Sequence, residues 1–307
     1  MHIRDILKLR QTTFSFEFFP PKTDKAAGEL FEAVRELEPL HPSWVSVTYG
    51  AGGGTRTRTN DLVVKIKQTT ALDPMPHLTC IYHTEAEIYD ILEKYAGAGV
   101  SNILALGGDP PRDMPNYDRS RDAFRYASQL VRFIREFRER HAGKSIGDPR
   151  GFGIGVAGFP EGHPGTPNRL DEIDLLKAKI DEGADFVITQ LFFENRDFYD
   201  FRERCEIAGI TAPIIAGVMP ITSLSGMKAI AGLALGARIP ARLLRAVDRC
   251  KGNAEAIRRV GVHWATEQCR DLLDHQVRGI HFYTLNRSTA TRDIYANLGF
   301  EDSLSVA

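Results

Sequence analysis

The chain has 307 residues, 43% of them hydrophobic and 26% charged, with a formal net charge of -1. That length suits one large α/β barrel or two small domains, and the near-neutral balance excludes a polybasic surface for nucleic acid or anionic membrane. No stretch approaches the ~20 apolar residues of a membrane span, residues 1–11 are too charged for a signal peptide, and the four cysteines (Cys80, Cys205, Cys250, Cys269) lack a Cys-x-x-Cys, which points to a reducing, cytoplasmic setting.

The first predicted strand ends in Phe14-Ser15-Phe16-Glu17-Phe18-Phe19-Pro20-Pro21. Side chains alternate along a strand, so Phe14, Phe16 and Phe18 face one way and Ser15, Glu17 and Phe19 the other. A carboxylate in such apolar company is expected to have a raised pKa, as a general acid working near neutral pH requires. An outward Glu on an edge strand is the plainer alternative. The Pro-Pro stop and the polar residues at matching positions on later strands argue against it.

A helix is predicted over residues 24–38, with Leu30, Phe31, Val34 and Leu37 on one face. A strand at 44–48 runs into the glycine-rich stretch Gly50-Ala51-Gly52-Gly53-Gly54, and a helix follows at 59–68. The third strand is placed at 77–81 and its helix at 84–96, with Thr84 as N-cap. The fourth, 102–106, leads into Gly107-Gly108-Asp109-Pro110-Pro111, and a long helix is predicted over 119–141 from the stripe Phe124, Leu130, Val131, Ile134 and Phe137. Further strands at 152–157, 185–190, 213–218 and 279–283 alternate with helices at 170–182, 197–208, within 224–275 and at 288–298. Eight short Val/Ile/Leu-rich strands, each followed by helix, predict strands buried on both faces. Together they make a (β/α)8 TIM barrel of the α/β class, one domain over residues 1–307.

Active sites of such barrels lie at the C-terminal strand ends. Polar residues near those ends are Glu17, Thr48, Asp109, His163, Gln190 and Tyr283. This mixed set suits a pocket that reads a large heterocyclic ligand by hydrogen bonds. Gly153-Ile154-Gly155-Val156-Ala157-Gly158 matches G-x-G-x-x-G, but it lies within a strand and no helix follows, so the dinucleotide reading is set aside. The glycine run at 52–54 lacks a Gly-Lys-Ser/Thr sequel, no metal-site spacing is present, and Arg238, Arg242 and Arg245 read as a solvated helix face.

Seven motifs occur in order: the Glu17 strand, Val47-Thr48-Tyr49-Gly50, His77-Leu78-Thr79-Cys80, Gly108-Asp109-Pro110-Pro111, Phe159-Pro160-x-x-His163-Pro164, Thr189-Gln190-x-Phe192-Phe193 and His281-Phe282-Tyr283-Thr284-Leu285-Asn286-Arg287. On these the chain resembles the methylenetetrahydrofolate reductases of the short bacterial type over essentially its whole length. The resemblance implies a flavin-dependent barrel in which NADH or NADPH reduces bound FAD and then gives way to 5,10-methylenetetrahydrofolate. Ring opening gives a cationic folate that accepts hydride.

By the same resemblance Glu17 is the general acid and Asp109 the carboxylate beside flavin and pterin. Gln190, Leu224, Tyr283 and Arg287 are implied as substrate contacts. Thr48, His77, Gly108, Asp109, Tyr126, Ala127, Phe159, His163, Glu172 and Lys179 are implied as FAD contacts. The departures fall on the flavin side: Gly107 stands where the family usually has Arg, Phe159 for Tyr, and Glu172 for Asp. Arg112, Arg119 and Arg150, from a region longer than the short type suggests, are candidates to compensate. A homo-oligomer is also expected. A flavin-free folate methyl transferase and a non-catalytic ligand-binding barrel are the competing readings.

Overall fold

Eight parallel strands pair in sequence order and close on themselves in a computed structural model that describes residues 1–49, 56–109, 117–140, 147–234 and 236–305. The strands are β1 (Thr13–Phe18), β2 (Trp44–Val47), β3 (Pro74–Thr79), β4 (Asn102–Leu106), β5 (Gly153–Gly158), β6 (Phe186–Thr189), β7 (Ile214–Val218) and β8 (Gly279–Tyr283). The helices are α1 (Ile3–Leu9), α2 (Asp24–Leu37), α3 (Arg56–Thr69), α4 (Glu85–Gly97), α5 (Ala127–Arg140), α6 (Arg169–Asp181) and α7 (Asn195–Ile207). After β7 follow α8 (Leu224–Leu233), α9 (Ala241–Asp248) and α10 (Ala254–Asp274), and after β8 comes α11 (Thr289–Leu298). Closure is made by β8 on β1, with Ser15 opposite His281 and Glu17 opposite Tyr283.

The alternation predicted for β1 holds. Phe14, Phe16 and Phe18 are fully buried in the layer between strands and helices, where Phe14 lies 5.4 Å from the Tyr295 ring of α11. Ser15 and Glu17 face the barrel interior. The lower part of that interior is apolar: Trp44, Met75, Leu104, Phe186, Ile188 and Ile215 cluster with Ile3 and Ile6 of α1. Helix α1 was not among the predicted elements, because about two turns with two buried isoleucines carry almost no periodic signal. Tertiary contacts hold it in place as a plug. The Ile3 N–H donates to Asn102 Oδ1 at 2.7 Å, and Arg150 ion-pairs with Asp5 and Asp148 beside it.

Two glycines of β5 serve this packing. A Cβ at Gly155 would stand 2.6 Å from the Phe186 ring and 2.8 Å from Leu104, and one at Gly153 would strike Asn102 and Ile3. Gly153 and Gly155 thus serve interior packing, while Gly158 makes room for Phe201 and Val187 on the outer face.

Several predicted boundaries moved, among them the start of α3 from 59 to Arg56, and two have a clear physical cause. β3 begins at Pro74 rather than 77, with proline as its first residue, where a missing N–H is tolerated. The helix predicted over 119–141 begins only at Ala127, after a separate turn at Arg119–Arg121. The buried Asp122 carboxylate is the cause: it accepts from the Tyr82 N–H at 2.9 Å and from the Tyr117 hydroxyl, while the Ala123 N–H donates to His83 O at 2.8 Å. Those bonds tie the segment to the loop after β3 instead of to a helix. The apolar stripe itself is buried as expected.

The N-terminus of α4 carries the predicted Thr84 cap, in a full capping box with Glu87. Among the described residues no helix is long and apolar enough to cross a membrane.

Candidate active site

At the C-terminal mouth the inward residues one pleat above the apolar floor are polar, Ser46 after Trp44 and His77 after Met75, and on β1 the polar Ser15 and Glu17 both face inward. Glu17 is 4% exposed. Its Oε2 lies 3.3 Å from His77 Nε2, 3.4 Å from His281 Nε2 and 3.3 Å from the Ser46 hydroxyl, which donates to it. Ser46 is also 3.3 Å from His281 Nε2, and the Ser15 hydroxyl is 2.7 Å from His281 Nδ1. A serine hydroxyl both donates and accepts. Ser15 can therefore serve His281 in its neutral or its protonated form.

This network corrects the expected pKa of Glu17. Burial does push the carboxyl up, but the contacts from His281 and His77 outweigh it, and the group is held down to about 2. The phenylalanines that suggested an apolar environment lie on the other face of the strand. Ser15, Ser46 and His281 were not singled out from the sequence. The available signal was a polar residue between two apolar ones within a strand, as in Val45-Ser46-Val47 and Ile280-His281-Phe282.

The loop after β8 fixes this corner. Leu285 and Asn286 take left-handed backbone angles of 52° and 60°. The Asn286 side chain accepts from Phe19 N at 2.7 Å and donates to Phe19 O at 2.9 Å, while the Thr284 hydroxyl donates to Glu17 O at 2.5 Å. Such backbone conformations persist where surrounding bonds over-determine them. Arg287 projects from this loop and is exposed.

Tyr283 crosses the mouth. Its hydroxyl donates to Thr189 O at 2.7 Å, and its ring stands edge-on to His281 at 5.2 Å, so the ring rather than the hydroxyl faces a ligand. Burial, then the Glu17 charge, raises the phenol well above its ordinary value. Gln190 follows β6 with its Oε1 accepting from Leu191 N at 2.9 Å, which directs its NH2 as a donor. Leu224 opens α8 and is 38% exposed.

The implied flavin residues fall on the β2–β5 side of the mouth. Among the described residues, the Thr48 hydroxyl is buried and has no hydrogen-bond partner, while His77 Nε2 on the adjoining strand is turned to Glu17 Oε2 at 3.3 Å. A buried hydroxyl left open at a strand end suits a polar ring system laid over it. Gly108 has φ 76°, and a Cβ there would crowd Thr79 at 3.1 Å and Ile81 at 3.3 Å. Asp109 is exposed at the end of β4. The Phe159 ring meets the His163 imidazole edge-on at 4.8 Å, and His163 Nδ1 accepts from Gly165 N at 3.0 Å.

Glu172 is buried and accepts from the His163 N–H at 2.9 Å while pairing with Arg169, so it holds the loop backbone. Lys179 donates to Ala157 O at 2.6 Å, and burial pushes its ammonium down to about 8 against the opposing pull of Glu172. Tyr126 is half exposed just before Ala127, the first residue of α5.

Of the candidate compensating arginines, Arg150 belongs to the opposite end of the barrel with Asp5. Arg119 pairs with Asp122 near the β3 loop. Arg112 and the glycine run at 50–54 lie outside the described residues. Arg238, Arg242 and Arg245 are exposed, as expected of a solvated face, but Arg238 precedes α9 and two of the three carry ion pairs. Arg238 pairs with Glu161 and Asp197, and Arg242 with Glu194.

A profile of the methylenetetrahydrofolate reductase family matches residues 2–299. An Arabidopsis thaliana protein named methylenetetrahydrofolate reductase (NADH) 1 is 36% identical over 314 residues, covering 99% of this chain and 51% of its own length. The chain thus spans about half the length of the plant relatives it matches. The 5,10-methylenetetrahydrofolate reductase of Escherichia coli (strain K12) is 36% identical over 294 residues, which are 96% of this chain and 93% of that protein. A Clostridium thermocellum protein, described as binding two copies of 5-methyl-5,6,7,8-tetrahydrofolic acid, shares the fold with a TM-score of 0.64 at 14% identity, covering 96% of this chain and 97% of its own.

Proposed function

The chain belongs to the methylenetetrahydrofolate reductase family, and on that premise we propose that it reduces 5,10-methylenetetrahydrofolate to 5-methyltetrahydrofolate with electrons from NADH or NADPH, in a ping-pong sequence through FAD. Bound FAD would supply the two-electron carrier between nucleotide and folate. Thr48, His77, Gly108, Asp109, Tyr126, Ala127, Phe159, His163 and Lys179 are the residues proposed to hold it, with Glu172 supporting the His163 loop.

The observation that carries the reading is the buried Glu17 carboxylate beside two histidines at the mouth of the barrel. The His281 and His77 contacts favour Glu17 as the carboxylate, so the proton it delivers would be handed on from a neighbour. His281 Nε2 can pass a proton to Glu17 Oε2 along their 3.4 Å contact, and Glu17 then protonates the departing folate nitrogen. Ser15 steadies the imidazole through both steps, and Ser46 holds carboxylate and imidazole together. Asp109 supplies negative charge for the ring-opened cationic folate. Gln190 offers its amide donor to pterin and nicotinamide in turn, Tyr283 and Leu224 offer apolar surface, and Arg287 pairs with the glutamate tail.

The test is an anaerobic absorbance titration of the protein loaded with FAD. Stepwise NADH or NADPH should bleach the flavin band, and 5,10-methylenetetrahydrofolate should restore it. A protein that takes up no flavin, or whose reduced flavin is not reoxidised by the folate, overturns the reading. A colourless protein that still binds the folate would favour the transferase alternative.

A further inference from the structure

Arg238, exposed over 73% of its side chain, is joined to a carboxylate that is almost fully buried: Glu161 is 5% exposed. The Glu161 oxygens accept from the Arg238 backbone N–H at 3.0 and 3.1 Å and from its Nε at 2.9 Å, while Arg238 Nη2 spans both oxygens of Asp197 at 3.0 Å. Glu161 lies in the loop after β5, between Phe159 and His163. Asp197 is in α7, and Arg238 is in the connection from α8 to α9. One arginine therefore ties three elements of the rim together.

The contact is close in backbone as well. Gly236 has φ 93°, and a Cβ there would stand 2.6 Å from Gly162 O. Gly162, at φ 90°, would collide through a Cβ with the Arg169 guanidinium on its other side. A cleft of about 580 Å³ opens beside this junction, lined by His163, Arg169, Asp197 and Arg238 among others.

An exposed ion pair by itself contributes little. Here one partner is buried, and besides a backbone N–H it is met by a guanidinium whose Nε and Nη2 address two different carboxylates, a two-direction geometry that a lysine cannot reproduce.

We propose that Arg238 is a positioning residue for the flavin site: through Glu161 it sets the loop that presents Phe159 and His163, and it links that loop to the α8 side of the mouth, where Leu224 stands. The inference rests on the proposed reading of Phe159 and His163 as flavin contacts. Glu172 holds the same loop from α6 through the His163 N–H. Loss of Arg238 therefore loosens the loop without releasing it.

The experiment is a titration of flavin-free protein with FAD, read by flavin fluorescence quenching, in wild type, Arg238→Ala, Arg238→Lys, Glu161→Gln and the Arg238→Ala/Glu161→Gln pair. Thermal unfolding of each flavin-free protein is measured in parallel. Arg238→Ala should weaken FAD roughly tenfold, the scale of one charge-assisted hydrogen bond, with Arg238→Lys recovering part of the loss. The double variant should lose no more than the worse single one, and the flavin-free unfolding midpoints should stay together. Unchanged FAD affinity in Arg238→Ala and Glu161→Gln overturns the inference. So does a loss of affinity that only follows a matching loss of flavin-free stability, since that marks a tie for the barrel alone. A wild type that binds no FAD overturns the flavin reading and this inference with it, an outcome distinct from a wild type that binds FAD as tightly as its variants.

Discussion

The two ends of the barrel interior come from the same eight strands and the same alternation, yet they hold opposite chemistry. At the N-terminal end Trp44, Met75, Leu104, Phe186, Ile188 and Ile215 close against Ile3 and Ile6. One pleat higher, Glu17, Ser46, His77 and His281 meet at 3.3–3.4 Å. Pleating decides which residues face inward, and height along the axis decides whether they fill space or do chemistry. Substitutions at the two ends should therefore fail in different ways.

The largest effect is expected from Glu17→Gln. Folate reduction should fall about 10²–10⁴-fold, the range of a general acid, while reduction of bound FAD by NADH or NADPH is kept. Separate half-reaction rates check this, and near-normal folate turnover would remove Glu17 from the role. The same variant reports the network by pH. The Glu17 pKa is lowered in the folded state, from an ordinary 4.5 to about 2. Its stabilising contribution is therefore full above about pH 4.5 and is lost as the pH falls toward about 2. The stability gap between wild type and Glu17→Gln should shrink over that window, as followed by acid unfolding.

Phe186→Ala attacks the other end. It should cost roughly 3–5 kcal/mol in stability through the cavity it leaves, with half-reaction rates per folded molecule little changed. Denaturant unfolding beside activity tests the separation. A loss of folate turnover as deep as that of Glu17→Gln would show that the two ends are one functional unit.

Gly217→Ala probes the boundary between them. The new Cβ would press on Thr189 O and stand 2.8 Å from the Tyr283 ring, displacing Tyr283 from its bond to Thr189. Overpacking of this kind costs about 1–3 kcal/mol. The folate KM should rise while flavin reduction is spared; equal loss in both half-reactions would deny Tyr283 a folate-side role.

The smallest effect is expected at Gly107, where a Cβ would meet nothing within 4 Å. Gly107→Arg should leave stability unchanged and tighten FAD by about tenfold, as one added charge-assisted contact allows. Equilibrium binding of FAD decides it, and an unchanged affinity would show that position 107 lies off the cofactor.

Local pattern was enough for the barrel and for the inward direction of Glu17, because a strand's two-residue period and a helix's apolar stripe are written within a few neighbouring positions. The Thr84 cap and the ordered motifs were legible for the same reason. What neighbours could not reveal was the company Glu17 keeps. His281 stands 264 positions away in the chain and reaches it only because β8 closes on β1. Apolar sequence neighbours therefore suggested a raised pKa where histidines from other strands lower it. Asp122 likewise keeps the first part of the predicted helix out of α5 through bonds to the loop after β3. Helix α1, too short to signal itself, is held by the barrel floor it closes. Periodicity determined the scaffold; burial and charge at the mouth were decided by which distant strands came to lie side by side, since desolvation and ion pairing depend on spatial neighbours rather than sequence neighbours.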